Sequence, residues 1–297
     1  MTAVIATDGL SRRYGDVHAV DDVSISVAEH GIVGLLGRNG AGKTTLMQLL
    51  TGQDFPTGGT ATVFGERPLE NARVLSRVCF VKESQRYPDE FRGRHVLKAA
   101  PLCFPDWDAA FADELVAEFH VPVDRPMKKM SRGQHSAIGV IVGLASRAPL
   151  TFFDEPYLGL DAVARQLFYD RLLADYAEHP RTVVLSTHLI DEVADLLEHV
   201  LVIDDGRIVI DEPAETLREQ GATVVGPADR VEAFIAGREV LHREHLGGTL
   251  GATVADALTP EDRADARAAG LELAPVSLQQ LIVRTTGNRA RGTGTDA

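Results

Sequence analysis

One stretch of nine residues constrains the fold of this chain more than any other. Gly37-Arg38-Asn39-Gly40-Ala41-Gly42-Lys43-Thr44-Thr45 has the spacing G-x-x-x-x-G-K-[ST]. The apolar run 32–36 before it predicts a buried strand, and apolar residues recur at helical spacing over 46–50 after it. Between a strand and a helix, such glycines turn successive backbone N–H groups toward an anion, and the helix N-terminus adds partial positive charge. The stretch therefore predicts a site for nucleotide phosphates.

The side chains of this loop have distinct expected roles. Lys43 is placed to reach the β- and γ-phosphates and so to take part in catalysis, and the Thr44 hydroxyl is placed to bind Mg²⁺. The remaining members of the predicted phosphate cradle are Gly37, Asn39, Gly40, Ala41, Gly42 and Thr45. The alternative is a glycine-rich turn with an incidental Lys-Thr pair, and the flanking strand and helix patterns argue against it.

The composition of the chain restricts the binding partners and the cellular location that we expect. The 297-residue chain has 43 acidic and 30 basic residues, which gives a formal net charge of −13. Nucleic-acid binding needs clustered lysines and arginines, so no nucleic-acid partner is expected. Cys79 and Cys103 form no metal-type pair and are expected to be reduced thiols. The N-terminus lacks signal-peptide features, and no apolar run approaches the roughly 18 residues of a membrane helix. We therefore expect a cytoplasmic protein.

Hydrophobic periodicity predicts an alternation of strands and helices. Apolar runs predict strands at 4–11, 23–27, 78–81, 150–153 and 182–186, and a hairpin at 200–210 across Asp204-Asp205-Gly206. From residue 88 to about 148 the pattern is helical, with amphipathic helices at 94–100 and 109–119 separated by Pro101 and Pro105. Further helices are predicted at 162–176 and 191–197. The strands and helices together predict an α/β fold with a helical insertion.

The character of the chain changes near residue 215. Short strand and helix patterns follow, including a helix start at Thr259-Pro260 with threonine as N-cap and proline at the first helical position. We predict a small α/β domain over 216–286 and a disordered tail over 287–297.

Two adjacent carboxylates follow the predicted strand 150–153. Ligands bind at the carboxyl ends of parallel strands, so Asp154 and Glu155 should lie near the bound phosphates. Asp154 is expected to hold Mg²⁺, directly or through water. Glu155 is expected to orient or deprotonate an attacking water. Alone, such a pair is more often a solvated strand end, but Lys43-Thr44 in the same chain favours the catalytic interpretation.

A tyrosine lies on the polar turn 12–16 ahead of the phosphate loop. Its ring can stack on a purine base, and a partly buried surface tyrosine is the alternative. The phosphate loop downstream favours stacking for Tyr14.

Five motifs follow one another along the chain: the phosphate loop, Ser131-Arg132-Gly133-Gln134, Asp154-Glu155-Pro156, Gly159-Leu160-Asp161 and Ser186-Thr187-His188. In these motifs and their order, the chain from Thr7 to Asp211 resembles the ATP-binding subunit of an ATP-binding-cassette (ABC) transporter. The single cassette is most similar to subunits of bacterial export systems for drugs or antimicrobial peptides. The resemblance implies a P-loop NTPase fold over residues 1–215 with an ABC-type helical insertion and an antiparallel β subdomain.

The resemblance also implies roles for single residues. Tyr14 matches the adenine-stacking aromatic, and Asp161 matches the turn that links two nucleotide sites. Ser131, Gly133 and Gln134 match the signature that touches a γ-phosphate bound on a second subunit. His188 matches the histidine that holds the γ-phosphate and the catalytic water. Without this context, a histidine after a strand is more often a capping or surface residue.

Two positions depart from the family pattern. The signature usually has two glycines before its glutamine, and Arg132 replaces the first; this cation either crowds the phosphate or adds a contact to it. The family also has a magnesium-binding glutamine after the strand at 78–81. Here Glu83 takes the expected position and Gln85 follows two residues later, so either residue is a candidate for that role.

The resemblance implies an ATPase that binds Mg²⁺ and ATP, dimerises with an identical or different cassette, and powers transport through a separate integral-membrane permease. The subunit would lie at the inner face of the cell membrane, and its helical insertion would contact the permease. The alternative from another class is a soluble ABC ATPase acting on ribosomes or nucleic acid; such proteins typically carry two cassettes or long insertions. A phosphate-loop kinase or GTPase leaves Ser131–Gln134 and His188 unexplained.

Overall fold

The computed structural model describes residues 3–83, 85–219, 221–254 and 257–282. The chain divides into two compact units, Met1–Leu189 with Leu196–Asp211, and Ile190–Asp195 with Glu212–Ala297. A domain division at residues 215 and 216 stays a prediction. The predicted disordered tail, 287–297, lies outside the described residues.

Among its described residues, the first unit contains two sheets and six α-helices. Its strands are β1 (Ala3–Tyr14), β2 (Val17–Val23), β3 (Ser26–Ala28), β4 (Gly31–Leu36), β5 (Gly58–Val63), β6 (Val78–Val81), β7 (Leu150–Asp154), β8 (Thr182–Thr187), β9 (His199–Asp204) and β10 (Arg207–Pro213), of which β10 continues into the second unit. Its helices are α1 (Lys43–Leu50), α2 (Ala72–Leu75), α3 (Gly93–Cys103), α4 (Ala109–Glu118), α5 (Arg132–Ala145) and α6 (Ala162–Glu178), with a short 3₁₀ helix at Met127–Lys129.

The central sheet has the order β10-β9-β4-β8-β7-β6, and β9, β4, β8, β7 and β6 pair in parallel. All residues of β4, β7 and β8 are buried, which explains why these strands are near-continuous apolar runs in the sequence. Because parallel strands end at the same edge of a sheet, the phosphate loop, Asp154 and Thr187 lie along one edge. The hairpin between β9 and β10 has the predicted turn, with positive φ at Asp205 and Gly206.

The second sheet is antiparallel and has the order β2-β1-β3, with β5 also paired to β1. The single strand predicted at 23–27 is wrong, because β2 ends at Val23 and β3 begins at Ser26. The Thr7 hydroxyl lies at this break, where it donates to the Val23 carbonyl at 2.8 Å and accepts from the Ile25 N–H at 3.0 Å. A side chain thus replaces ladder hydrogen bonds that a continuous strand would make.

The helical insertion contains α3, α4 and α5. The prediction that Pro101 separates two helices is wrong, since α3 continues to Cys103. Pro101 lies in the exposed last turn of α3, where water can satisfy the carbonyl that loses its N–H partner. In the described part of the chain, no helix combines the length and apolarity needed to cross a lipid bilayer.

The second unit contains α7 (Ile190–Val193), α8 (Ala214–Glu219), β11 (Ala222–Pro227), α9 (Ala228–Ile235), β12 (Val240–Leu246), β13 (Thr249–Val254), α10 (Pro260–Ala268) and β14 (Glu272–Pro275). Its sheet, β12-β13-β11-β14, is fully antiparallel, and β11 to β14 follow the ferredoxin-like order βαββαβ.

The second unit differs from the sequence-based prediction at one helix and one strand. The helix predicted at 191–197 is a single α-turn followed by a 3₁₀ turn at Ala194–Leu196, which crosses the boundary of the unit. The strand β12 was not predicted, because it is an exposed, charged edge strand with no apolar alternation.

Candidate active site

The phosphate loop is held by close contacts between backbones. Gly37 and Gly42 have φ values of 156° and 111°. A Cβ on Gly42 would lie 2.2 Å from the Ala19 carbonyl oxygen, and a Cβ on Gly37 would lie 2.3 Å from the Ile203 carbonyl oxygen. Any larger residue would therefore displace the loop from β2 or β9. Packing within the chain therefore requires both glycines, and their predicted contact with a phosphate stays a prediction.

Other residues of the loop differ in their exposure. Gly40 has a φ of 84°, and Asn39 and Gly40 are exposed at the tip of the loop. Ala41 is buried, and its carbonyl accepts a hydrogen bond from the Gly206 N–H at 3.0 Å. Thr45 is half-buried in the first turn of α1.

Lys43 is a buried cation that connects the phosphate loop to Glu155. Its Nζ donates to the carbonyl oxygens of Gly37 at 2.8 Å and Arg38 at 3.2 Å. The same Nζ lies 3.2 Å from Glu155 Oε1. Its side chain is only 6% exposed, so its interaction with an anion is little screened by water.

Asp154 and Thr44 bring two oxygen groups together. The Asp154 carboxylate accepts from the Thr44 hydroxyl at 2.7 Å and from the Ser186 hydroxyl at 2.7 Å. Burial raises the pKa of Asp154 above its usual value, and these two hydrogen bonds oppose that shift. Oxygen ligands of this kind suit Mg²⁺, which keeps several waters and phosphate oxygens among its ligands. Within the described residues, no cluster of three or more His, Cys, Asp or Glu side chains can hold a metal. The Thr44–Asp154 pair thus fits a Mg²⁺ ion that the nucleotide helps to hold.

Glu155 and His188 lie in direct contact. His188 Nδ1 is 2.8 Å from Glu155 Oε2, and the Glu155 side chain is 8% exposed. Glu155 has a φ of 49°, an uncommon backbone conformation for a non-glycine residue. Ser186 holds this backbone, since its carbonyl and hydroxyl oxygens accept from the Glu155 N–H at 3.3 and 3.2 Å.

The sequence did not predict the roles of two residues in this cluster. Ser186 contacts both Asp154 and Glu155, and the Tyr157 hydroxyl contacts both Glu155 and His188. Each lies two residues from a predicted site residue, Ser186 before His188 and Tyr157 after Glu155. That proximity, together with a hydroxyl group, was the available signal.

The signature residues begin α5 and form a capping box. The Ser131 hydroxyl accepts from the Gln134 N–H at 3.2 Å, and Gln134 Oε1 accepts from the Ser131 N–H at 3.1 Å. A Cβ on Gly133 would lie 2.5 Å from the Gly159 carbonyl oxygen. The absence of a side chain at Gly133 is therefore explained by close packing on the turn that carries Asp161. Asp161 is the N-cap of α6, where its carboxylate accepts from the Ala164 N–H at 2.9 Å.

The two departures from the family pattern pair with each other. Arg132 donates to Glu83 Oε1 at 2.6 Å. Gln85, the other candidate for the magnesium-binding position, lines an apolar cavity between β6 and the helical insertion. Glu83 therefore pairs with Arg132, and the predicted metal role of Glu83 or Gln85 stays a prediction.

Tyr14 ends β1 and is 45% exposed. Its hydroxyl donates to Asp54, and the Arg12 guanidinium lies 4.5 Å from the centre of its ring. Arg12 and Asp54 form an ion pair at 2.7 Å. These contacts fix the orientation of an exposed ring, as stacking on a purine base requires, and that role also stays a prediction.

Comparisons with known proteins agree with this geometry. A family model described as ABC transporter matches residues 20–158. The Nod factor export ATP-binding protein I of Ralstonia nicotianae is 32% identical over 232 residues, which cover 75% of this chain and 72% of that protein. The chain belongs to the ABC transporter family of ATP-binding proteins.

Two further matches extend the comparison. The bacitracin transport ATP-binding protein BcrA of Bacillus licheniformis is 28% identical over 223 residues, which cover 74% of this chain and 73% of that protein. A solved dimeric structure of a bacterial ABC transporter cassette matches with a TM-score of 0.62 at 20% identity, over 71% of this chain and 98% of that one. The predicted resemblance and the predicted P-loop α/β fold are confirmed. The protein is the ATP-hydrolysing subunit of a transporter, and such a subunit requires a membrane permease.

Proposed function

We propose that two cassettes of this type enclose MgATP and that hydrolysis drives export through a separate permease at the inner face of the membrane. The observation that carries this proposal is the convergence of Lys43, Thr44, Asp154, Glu155 and His188 at one edge of the central sheet. The direction of transport is inferred from relatives whose names describe export and bacitracin transport. The second cassette is an identical or a different chain.

The residues divide the chemistry of hydrolysis among them. Lys43 neutralises charge on the β- and γ-phosphates. Thr44 and Asp154 would hold Mg²⁺, which would supply further positive charge to the phosphate oxygens. Glu155 accepts a proton from water as the water oxygen attacks the γ-phosphorus. The bond from the γ-phosphorus to the bridging oxygen breaks, and ADP leaves with the electron pair. His188 orients the γ-phosphate and the water.

The signature acts on the nucleotide of the neighbouring cassette in this proposal. Ser131 and Gln134 begin α5, so the partial positive charge of this 14-residue helix accompanies them. Within its own chain, Arg132 at the start of α5 pairs with Glu83, and Gly133 packs on Gly159. Binding or hydrolysis of the neighbouring nucleotide would therefore move the turn after β6, through the contact between Arg132 and Glu83.

An apolar cavity of about 270 Å³ beside that turn is the proposed docking surface for the permease. It lies between β6 and the helices α3 and α5, as expected for a partner that contacts the helical insertion. Its lining residues are Cys79, Phe80, Val81, Gln85, Tyr87, Phe91, Val96, Ala99, Ala100, Cys103, Phe104, Gly139 and Val142. An apolar segment of the permease is the occupant that such a lining favours.

Light scattering after size-exclusion chromatography tests the shared site. With Glu155→Gln to prevent turnover, MgATP is expected to convert monomers into dimers. Adding Ser131→Arg is expected to abolish the dimer, because a bulky cation then occupies the corner that meets the neighbouring nucleotide. Titration with ATP checks that the doubly substituted monomer still binds nucleotide. An ATP-dependent dimer that survives Ser131→Arg would contradict the shared site.

Ser186→Ala tests the proposed magnesium site. This change removes the hydroxyl that holds Asp154, and loss of such a supporting group typically weakens metal binding about 10-fold or more. We expect the Mg²⁺ concentration for half-maximal ATPase activity to rise about 10-fold. Ser76→Ala, which changes an exposed hydroxyl outside the site, is the control and should not alter the Mg²⁺ requirement. An unchanged Mg²⁺ concentration for half-maximal activity in Ser186→Ala would contradict a supporting role of the Ser186 hydroxyl in magnesium binding.

A further inference from the structure

A buried tyrosine lies between the two residues to which the proposed function assigns the handling of water. Tyr157 follows β7 and is 2% exposed. Its hydroxyl contacts Glu155 Oε2, lies 2.9 Å from His188 Nδ1 and 3.2 Å from the His188 backbone nitrogen, and lies 3.0 Å from the Thr187 hydroxyl. Its ring packs edge-on against the His188 ring with 5.7 Å between centroids.

The donors and acceptors in this group permit one consistent arrangement. A carboxylate only accepts, so the single Tyr157 proton points to Glu155 Oε2. The Tyr157 oxygen then accepts from the Thr187 hydroxyl and the His188 backbone N–H, which uses both of its lone pairs. Burial, and then the contact with Glu155, raise the pKa of Tyr157 above its usual value, so the hydroxyl keeps its proton.

This arrangement also fixes the histidine ring. His188 Nδ1 lies 2.8 Å from the same Oε2 atom, which again only accepts, so Nδ1 carries a proton. The other ring nitrogen, Nε2, can donate to a phosphate oxygen when the ring carries both protons. A histidine that is 35% exposed would otherwise sample several orientations.

The two oxygens of Glu155 are therefore unequal. Oε2 is bound by Tyr157 and His188, whereas Oε1 faces Lys43 Nζ at 3.2 Å and receives no well-aligned hydrogen bond from the described residues. Oε1 is thus the oxygen on the side of the phosphate loop. In the proposed mechanism it is the oxygen that remains to take a proton from water.

We propose that Tyr157 is a positioning residue for ATP hydrolysis, whose hydroxyl holds the Glu155 carboxylate and the His188 ring in their reactive orientation. This rests on the proposed roles of Glu155 and His188. Packing alone would need only the aromatic ring, whereas positioning needs the hydroxyl. Phenylalanine keeps the ring and removes the hydroxyl, so it separates the two.

We expect Tyr157→Phe to lower kcat about 10- to 100-fold, because small displacements of reacting groups cost up to about 100-fold in rate. The KM and the dissociation constant for MgATP should stay within about twofold of the wild type, since no phosphate-binding residue changes. Steady-state ATPase assays and titration calorimetry measure these quantities, and thermal melting checks the fold. A kcat within twofold of the wild type, or an affinity that weakens as much as kcat falls, would overturn the proposal.

Tyr176→Phe is the matched control. The Tyr176 hydroxyl also bonds to a carboxylate, that of Glu198. The Glu198 N–H donates to the Ile32 carbonyl near the start of β4, at the end of the strand opposite the phosphate loop. Its removal should therefore leave kcat unchanged.

Two more variants keep the test decisive. In single-turnover measurements on the double variant Glu155→Gln with His188→Ala, adding Tyr157→Phe should change the residual rate less than twofold, because Tyr157 acts through these two residues. A full additional loss would overturn this coupling, whereas wild-type turnover in Glu155→Gln alone would instead reject the proposed role of Glu155.

If Tyr157→Phe does not fold, Thr187→Val keeps the Tyr157 hydroxyl but removes one of its donors. A several-fold loss of kcat at unchanged affinity is then expected, and unchanged kcat would overturn the proposal.

Discussion

We expect Glu155→Gln to lower the rate of ATP hydrolysis about 10²- to 10⁴-fold, the range that removal of a general base produces. Glutamine has the shape of glutamate, and its amide oxygen can still accept from Tyr157, so the turn after β7 should be preserved. It cannot take a proton from water. MgATP should therefore bind with an affinity close to that of the wild type, and the bound nucleotide should stay intact.

A phosphate-release assay measures the rate of hydrolysis, and calorimetric titration measures the affinity for MgATP. Glu198→Gln is the control, since Glu198 is an exposed carboxylate near the start of β4 and should not affect turnover. Hydrolysis at more than a tenth of the wild-type rate in Glu155→Gln would mean that another group accepts the proton.

Lys43→Ala is expected to weaken binding and turnover together. Loss of a charge-assisted hydrogen bond to phosphate should raise the dissociation constant about 10- to 100-fold. Loss of charge stabilisation at the γ-phosphate should lower kcat about 10²- to 10³-fold. The low exposure of Lys43 makes both effects large, because its charge acts on the phosphates with little screening.

The Lys43 result needs a control for the loop itself, since Nζ also donates to the Gly37 and Arg38 carbonyls. Thermal melting without nucleotide shows whether the loop loses stability in Lys43→Ala. Lys128→Ala removes an exposed lysine paired with Glu90 and should leave binding and turnover unchanged. Wild-type affinity in Lys43→Ala would exclude contact of this lysine with the phosphates.

The local patterns of the sequence predicted the central sheet well. The strands β4, β7 and β8 were visible because burial on both faces requires continuous apolar runs. The exposed strand β12 was not visible because it lacks an apolar pattern. The break between β2 and β3 was not visible because it depends on the Thr7 hydroxyl of the neighbouring strand β1. The continuation of α3 past Pro101 depends on the solvent exposure of its last turn, which cannot be read from the sequence.

The sequence by itself determined the chemistry available to this protein: a phosphate loop, two carboxylates after a buried strand and a histidine after another. These depend on residue type and short spacing, which are local properties. Only the tertiary structure decided how these groups meet across β4, β7 and β8, and that Ser186 and Tyr157 hold them. It also decided that Arg132 pairs with Glu83, and that Gly133 is small because Gly159 packs against it. Such contacts join residues as far apart in the chain as Thr44 and Asp154, which are 110 positions apart, and their geometry is fixed by packing of the whole sheet rather than by any one stretch.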